Sequence, residues 1–203
     1  MVVDEDFKLY YARWWNSDLW KDISVDSINE AGEYFLNTYN VKLNISQIDD
    51  GWNSENDQRK IDFLLEEVEA ETKWIGSKNG TDNHNSDILV AFTGQDSQLL
   101  SKLFGDYVGI AHPSSSSVIN RIPPSDFSNL VQHEISHLFG APDHNDSRFC
   151  IMDKTWPWPL GDGQIEGNIW TTHEWDYECF NIIESNKSEV SQYSEGGDYN
   201  INN

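Results

Sequence analysis

Two histidines four positions apart, His133 and His137, with Glu134 beside the first, are the residues in this chain whose types and spacing could do chemistry. On an α-helix of about 3.6 residues per turn, positions 133 and 137 lie about 40° apart, so both imidazoles project from one face. Two neutral imidazoles so placed can hold one Zn2+. Glu134 is too near them in sequence to act as a third ligand, but it can reach a water on the metal, which is the position of a general base. Gly140 tolerates a left-handed backbone and lets the helix stop. Pro142 stiffens the returning chain, and Asp143, six residues after His137, closes a three-ligand site with one position left open. A shift of one residue in that turn would make His144 the ligand instead.

The elements that must position this site follow from hydropathy patterning. The zinc helix starts after Pro123-Pro124 with Ser125 as its cap, and Val131, Ile135 and Leu138 point away from the histidine face into a core. Upstream, Phe7 to Trp15 reads as a strand, and Ser24 or Asp26 caps a helix to about Tyr39 with Ile28, Ala31, Phe35 and Tyr39 on one stripe. Val41, Leu43, Ile45 and Ile48 read as a second strand, and Asp49 to Asp57 as a polar loop. That loop has oxygen donors, but its spacing matches no calcium loop, so Ca2+ binding is unsupported. Residues 58–75 form an amphipathic helix with Ile61, Leu64, Leu65, Val68 and Ile75 inward and Glu66, Glu67, Glu69 and Glu71 outward. Residues 77–86 are a loop, and Ile88 to Phe92 is a buried strand ended by Thr93-Gly94. Asp106 to His112 is a strand, and Pro113 with the four serines after it is a turn. A last helix runs from about Thr172 to Glu184. This pattern divides the chain into one domain, 1–184, and a polar tail or linker, 185–203.

Composition narrows the function. With 13 basic against 35 acidic residues the net charge is −22, which excludes nucleic acid and anionic membranes as natural partners. No stretch approaches the roughly 18 apolar residues of a membrane span, and no apolar signal core follows Met1, so Met1 is expected to be a cut edge. Cys150 and Cys179 fit either a disulfide in an exported protein or two buried thiols. The Asn-x-Ser/Thr triplets at Asn44, Asn79, Asn145 and Asn186 favour a secreted, extracellular protein, and the expectation is that the two cysteines are joined.

The run His-Glu-x-x-His-x-x-Gly-x-x-Asp, followed by Met152 in a turn, resembles the metzincin clan of zinc endopeptidases. Asp87 to Gly94, then Gly109-Ile110-Ala111, then the zinc helix, is similar to the order leading into the active site of reprolysin-type members, and Cys150-Ile151-Met152 is similar to their Met-turn. Aspartate at 143, where most metzincins have a third histidine, is similar to the snapalysin type. The resemblance spans about residues 7–184 and is densest over 87–153. It implies an α/β (α+β) catalytic domain: a twisted mixed sheet, a long active-site helix, a Met-turn and a C-terminal helix. It also implies one catalytic Zn2+ on His133, His137 and Asp143, Glu134 as general base, and Met152 packed beneath the metal. Substrate would lie antiparallel to the strand containing Gly109, Ile110 and Ala111. No tyrosine lies two residues after Met152, so the extra ligand of astacin-like members is not expected.

The leading reading is therefore a monomeric zinc endopeptidase acting on peptides or proteins, in which Glu134 takes a proton from a zinc-acidified water and delivers it to the leaving amine. Two others compete. A thermolysin-like protease would use a later glutamate such as Glu174 as third ligand, against which Gly140 and Met152 argue. A zinc-containing binding module or pseudo-enzyme would have no use for Glu134. His112 reads as a partly exposed structural histidine, with substrate contact as the alternative; His84 lies in a polar loop, His173 belongs to the last helix, and Trp156 and Trp158 read as core or pocket wall.

Overall fold

The computed structural model describes residues 1–12, 15–54, 61–71, 88–94, 109–112, 116–120, 127–144, 150–153 and 172–191. Ser125, the loop at 77–86, His84, and Trp156 and Trp158 lie outside these residues.

A five-stranded sheet in the order β2-β1-β3-β5-β4 supports the site. It is built from β1 (Val2–Asp4), β2 (Asp49–Trp52), β3 (Leu89–Thr93), β4 (Gly109–His112) and β5 (Ser116–Asn120). Four strands run parallel and β4 runs antiparallel to β5. The helices are α1 (Glu5–Tyr11), α2 (Leu19–Tyr39), α3 (Ile61–Glu71), α4 (Phe127–Leu138) and α5 (Tyr177–Ser191). The result is the mixed α/β architecture that the resemblance implied.

Strand alternation sorts the core into two layers. Val2, Leu89 and Ala91 turn to one face and pack with Trp52, Leu64, Leu65 and Val68, so α3 covers that side. Val3, Val90 and Phe92 turn to the other and pack with Phe7, Phe35, Leu130, Ile135 and Ile183, which brings α1, α2, α4 and α5 together there. Covered on both faces, β3 is an unbroken apolar run with every residue buried, as a parallel central strand requires.

Several expected elements are placed differently. Phe7 to Tyr11 is helical rather than a strand. Asp4 ends β1, and its Oδ1 accepts from the Phe7 amide at 2.6 Å, with Glu5 and Asp6 in the first turn, so cap and dipole override the aromatic strand propensity. Ser24 does not cap α2: it lies inside the helix and returns its hydroxyl to the Trp20 carbonyl at 2.9 Å. The stripe Ile28, Ala31, Phe35 and Tyr39 is buried as expected. The second strand is Asp49–Trp52, not 41–48; Val41, Leu43, Ile45 and Ile48 instead pack irregularly against the core. Part of the serine run after Pro113 is not a turn but β5, which is bonded to β3 on one side and β4 on the other. Backbone ladders on both edges hold it without a distinctive side-chain pattern. The last helix starts five residues later than expected and continues to Ser191, with Asn186 and Lys187 bonded to the Phe139 and Tyr39 carbonyls at 2.9 and 3.0 Å.

Candidate metal centre

Helix α4 carries His133, Glu134 and His137, and its core side is fixed by Leu130, Val131, Ile135 and Leu138, all fully buried. Gly140 follows with φ +87, a left-handed conformation that a side chain would strain. The chain then reverses, which brings Asp143 back over the helix.

Each imidazole is oriented from behind. His133 Nδ1 is 2.8 Å from the Ile151 carbonyl, and His137 Nδ1 is 2.7 Å from the Ala141 carbonyl. A carbonyl only accepts, so both Nδ1 atoms carry protons and both Nε2 atoms present lone pairs. Those Nε2 atoms stand 3.1 Å apart, and Asp143 Oδ1 is 3.3 Å from each. Three acceptors thus converge with no proton between them, an arrangement that repels itself unless a cation sits at its centre. Ligands about 2.0–2.1 Å from a tetrahedral Zn2+ stand about 3.3 Å apart. The donor set, its tautomers and its spacing fit that ion.

The charged groups of this cluster act on one another. Burial pushes Asp143 up, but the adjacent imidazoles of His133 and His137 outweigh that and hold its carboxyl well below the usual range. Burial lowers His137, and Asp143 with Glu134 outweighs it in the other direction. Glu134 is almost fully buried; burial raises its pKa, against the pull of His133 and His137. One of its oxygens, Oε2, has no hydrogen-bond partner among the described residues. A buried carboxyl next to a cation site, with one oxygen uncommitted, is placed to take and return a proton.

Met152 is buried in the turn 150–153. That turn is held by the Asp153 amide to the Cys150 carbonyl at 3.1 Å, by the His144 amide to the Met152 carbonyl at 3.1 Å and by the Ile151 amide to the Glu174 carbonyl at 2.7 Å. Through the Ile151 carbonyl it also orients His133. Gly109, Ile110 and Ala111 lie on β4, one of the two edge strands among the described residues. Gly109 faces Glu134 directly, while His112 at the end of β4 reaches Glu69 of α3 at 3.2 Å.

His144 is not in this group. It joins a second one with Cys150, Asp176 and Cys179, whose donor atoms all lie within 4.8 Å of one another. His144 Nε2 is 3.1 Å from Asp176 Oδ2. The expected disulfide is absent: both cysteines are free and buried. A hydrogen bond from the Cys179 thiol instead draws Cys150 down to about 6 and pushes Cys179 up. Four protein donors including two sulfurs suit a closed, structural zinc site. In the sequence Asp176 has one signal, its position three residues before Cys179. Glu174 belongs to neither group, and His173, placed before the last helix, stacks on Tyr34 at 3.9 Å and meets Gln132 at 2.7 Å.

Among the described residues no helix is long and apolar enough to cross a membrane. No family model matches the chain, and no curated protein does. Among solved structures it is similar to archaemetzincin from Methanopyrus kandleri, at 13% identity and a TM-score of 0.57 over 92% of this chain and 93% of that one. At that identity the likeness is one of fold alone: this chain shares the mixed α/β architecture of that structure.

Proposed function

We propose that this chain is a zinc-dependent endopeptidase, with His133, His137 and Asp143 holding the catalytic ion and Glu134 as general base. The observation that carries the reading is the convergence of three lone-pair donors 3.1 and 3.3 Å apart, on imidazoles whose other nitrogens are already committed. When bound, zinc supplies Lewis acidity toward water and a substrate carbonyl. The residues do the rest. The Ile151 and Ala141 carbonyls fix the tautomers, Asp143 adds one negative charge, and buried Glu134 moves the proton from water to the leaving amine. The third-ligand aspartate favours a snapalysin-type relative, and Cys150-Ile151-Met152 a reprolysin-type turn. A second zinc, held by His144, Cys150, Asp176 and Cys179, would tie that turn to α5. Export is proposed on the Asn-x-Ser/Thr triplets alone, the disulfide argument having fallen away.

Internal cleavage follows from β4. As an edge strand among the described residues it offers backbone groups to which an extended peptide can add, with no need for a free terminus. Peptides acetylated and amidated at their ends should therefore be cut, and Glu134→Ala should keep its zinc while losing about 10²- to 10⁴-fold in kcat. Release of terminal residues only would replace the endopeptidase with an exopeptidase. Near-normal turnover by Glu134→Ala would remove the base, and no cleavage by the zinc-loaded native protein would leave a binding module.

A further inference from the structure

We infer that Gly109 is a positioning residue for Glu134: the edge strand has no side chain at this point, and the space so left is where the carboxylate lies. A Cβ built on Gly109 would stand 2.1 Å from Glu134 Oε1, 2.5 Å from Cδ and 2.8 Å from Cγ, and these are its three nearest atoms. Backbone conformation does not require glycine here. Gly140 is the only described glycine with positive φ, and Gly109 sits in ordinary antiparallel register opposite Ile119. What the missing side chain provides is room for Glu134.

Glu134 cannot yield that room freely. Its backbone lies in the middle of α4, between ligand His133 and fully buried Ile135, and its side chain is itself buried. Ordinary van der Waals contact begins at 3.4 Å, against the 2.1 Å here, so a methyl group at 109 displaces the carboxylate by about 1 Å. Misplacement on that scale costs on the order of 10²-fold in rate. The strand proposed to hold the substrate thus also sets the base, which ties the register of the peptide to the position of the proton acceptor.

The catalytic half of this inference rests on the endopeptidase reading, and the contact itself does not. Two double-mutant cycles separate them. In thermal unfolding, Gly109→Ala should lower Tm by about 3 to 8 °C with Glu134 present and by less than about 1 °C in the Glu134→Ala background. Equal losses in both, or failure to fold in both, would overturn the contact; folding restored by Glu134→Ala would support it. In kinetics on a blocked peptide, Gly109→Ala should lower kcat about 100-fold while KM stays within about threefold and zinc content is unchanged. In the Glu134→Asp background, where the side chain is one carbon shorter, the same change should cost less than about fivefold. A Tm loss cancelled by Glu134→Ala, combined with unchanged kcat, would overturn the positioning role while leaving the contact. A native protein that cleaves no peptide would end the endopeptidase reading, with the thermal cycle still deciding the contact.

Discussion

Asp143 and His144 are adjacent in sequence, yet they face different groups of donors. Asp143 Oδ1 lies 3.3 Å from both histidine Nε2 atoms, and His144 Nε2 lies 3.1 Å from Asp176. The backbone explains the split: the His144 amide bonds to the Met152 carbonyl and His144 bridges to Asp153, so its side chain is held toward the cysteine pair. Two zinc ions per chain are therefore expected, and each substitution should remove a different one. Asp143→Ala should weaken the catalytic ion by more than about 100-fold, beyond the effect of losing an outer-shell partner, and abolish hydrolysis. His144→Ala should lower the zinc count to one and leave an ion that still supports cleavage. Metal analysis with peptide assays on both variants decides this; hydrolysis lost with His144→Ala and kept with Asp143→Ala would move the ligand by one residue. The spacing from His137 made Asp143 legible as a donor. Asp176 was not legible, because apart from Cys179 its partners lie 26 and 32 positions earlier and only the fold brings them near.

Among the elements, the start of the chain departs most from what its residue types indicate. Asp4 is fully buried and accepts from the Phe7 and Gly94 amides at 2.6 and 2.9 Å, from Ser54 Oγ at 2.6 Å and from Thr93 Oγ1. One side chain thereby caps α1 and ties β1 to the end of β3. Gly94 is required in that junction, since a Cβ there would stand 2.2 Å from the backbone of Asp6 and Phe7. In Asp4→Asn an amide would face donors where a carboxylate oxygen accepts, and the charge-assisted bonds would be lost. The expected cost is about 3 to 5 kcal/mol of unfolding free energy, with metal affinity little changed because the carboxylate supports the sheet and not the ligand helix. Urea unfolding against zinc titration checks both halves. The helices α2, α3 and α4 were legible because apolar residues recur at helical spacing. β1, β2 and β5 were not, since each is short and is held by neighbouring strands rather than by its own side chains.

At the scale of the whole molecule, the two proposed ions hold together parts that the sequence separates. The second group joins the turn at 150–153 to α5, and that turn orients His133, so one structural device supports the other. Removing metal with a chelator should therefore lower Tm by about 5 to 10 °C, as expected when a site occupied about a hundredfold above its Kd is emptied. If Tm is unchanged by chelation while bound zinc is lost, the second group is no structural site. The charge of −22 bears on this as well, since self-repulsion opposes compaction and neutralising cations offset it. The sequence by itself determined the helix that pairs His133 with His137, the glutamate beside them, the turn at Gly140 and the apolar central strand, because each depends on periodicity or backbone freedom within about a dozen residues. Only the tertiary structure decided that Gly109 makes room for Glu134, that Cys150 and Cys179 meet as thiols beside His144 and Asp176, and that a serine run becomes an inner strand. Those depend on contacts between segments distant in sequence, for which no local pattern of residue types is needed.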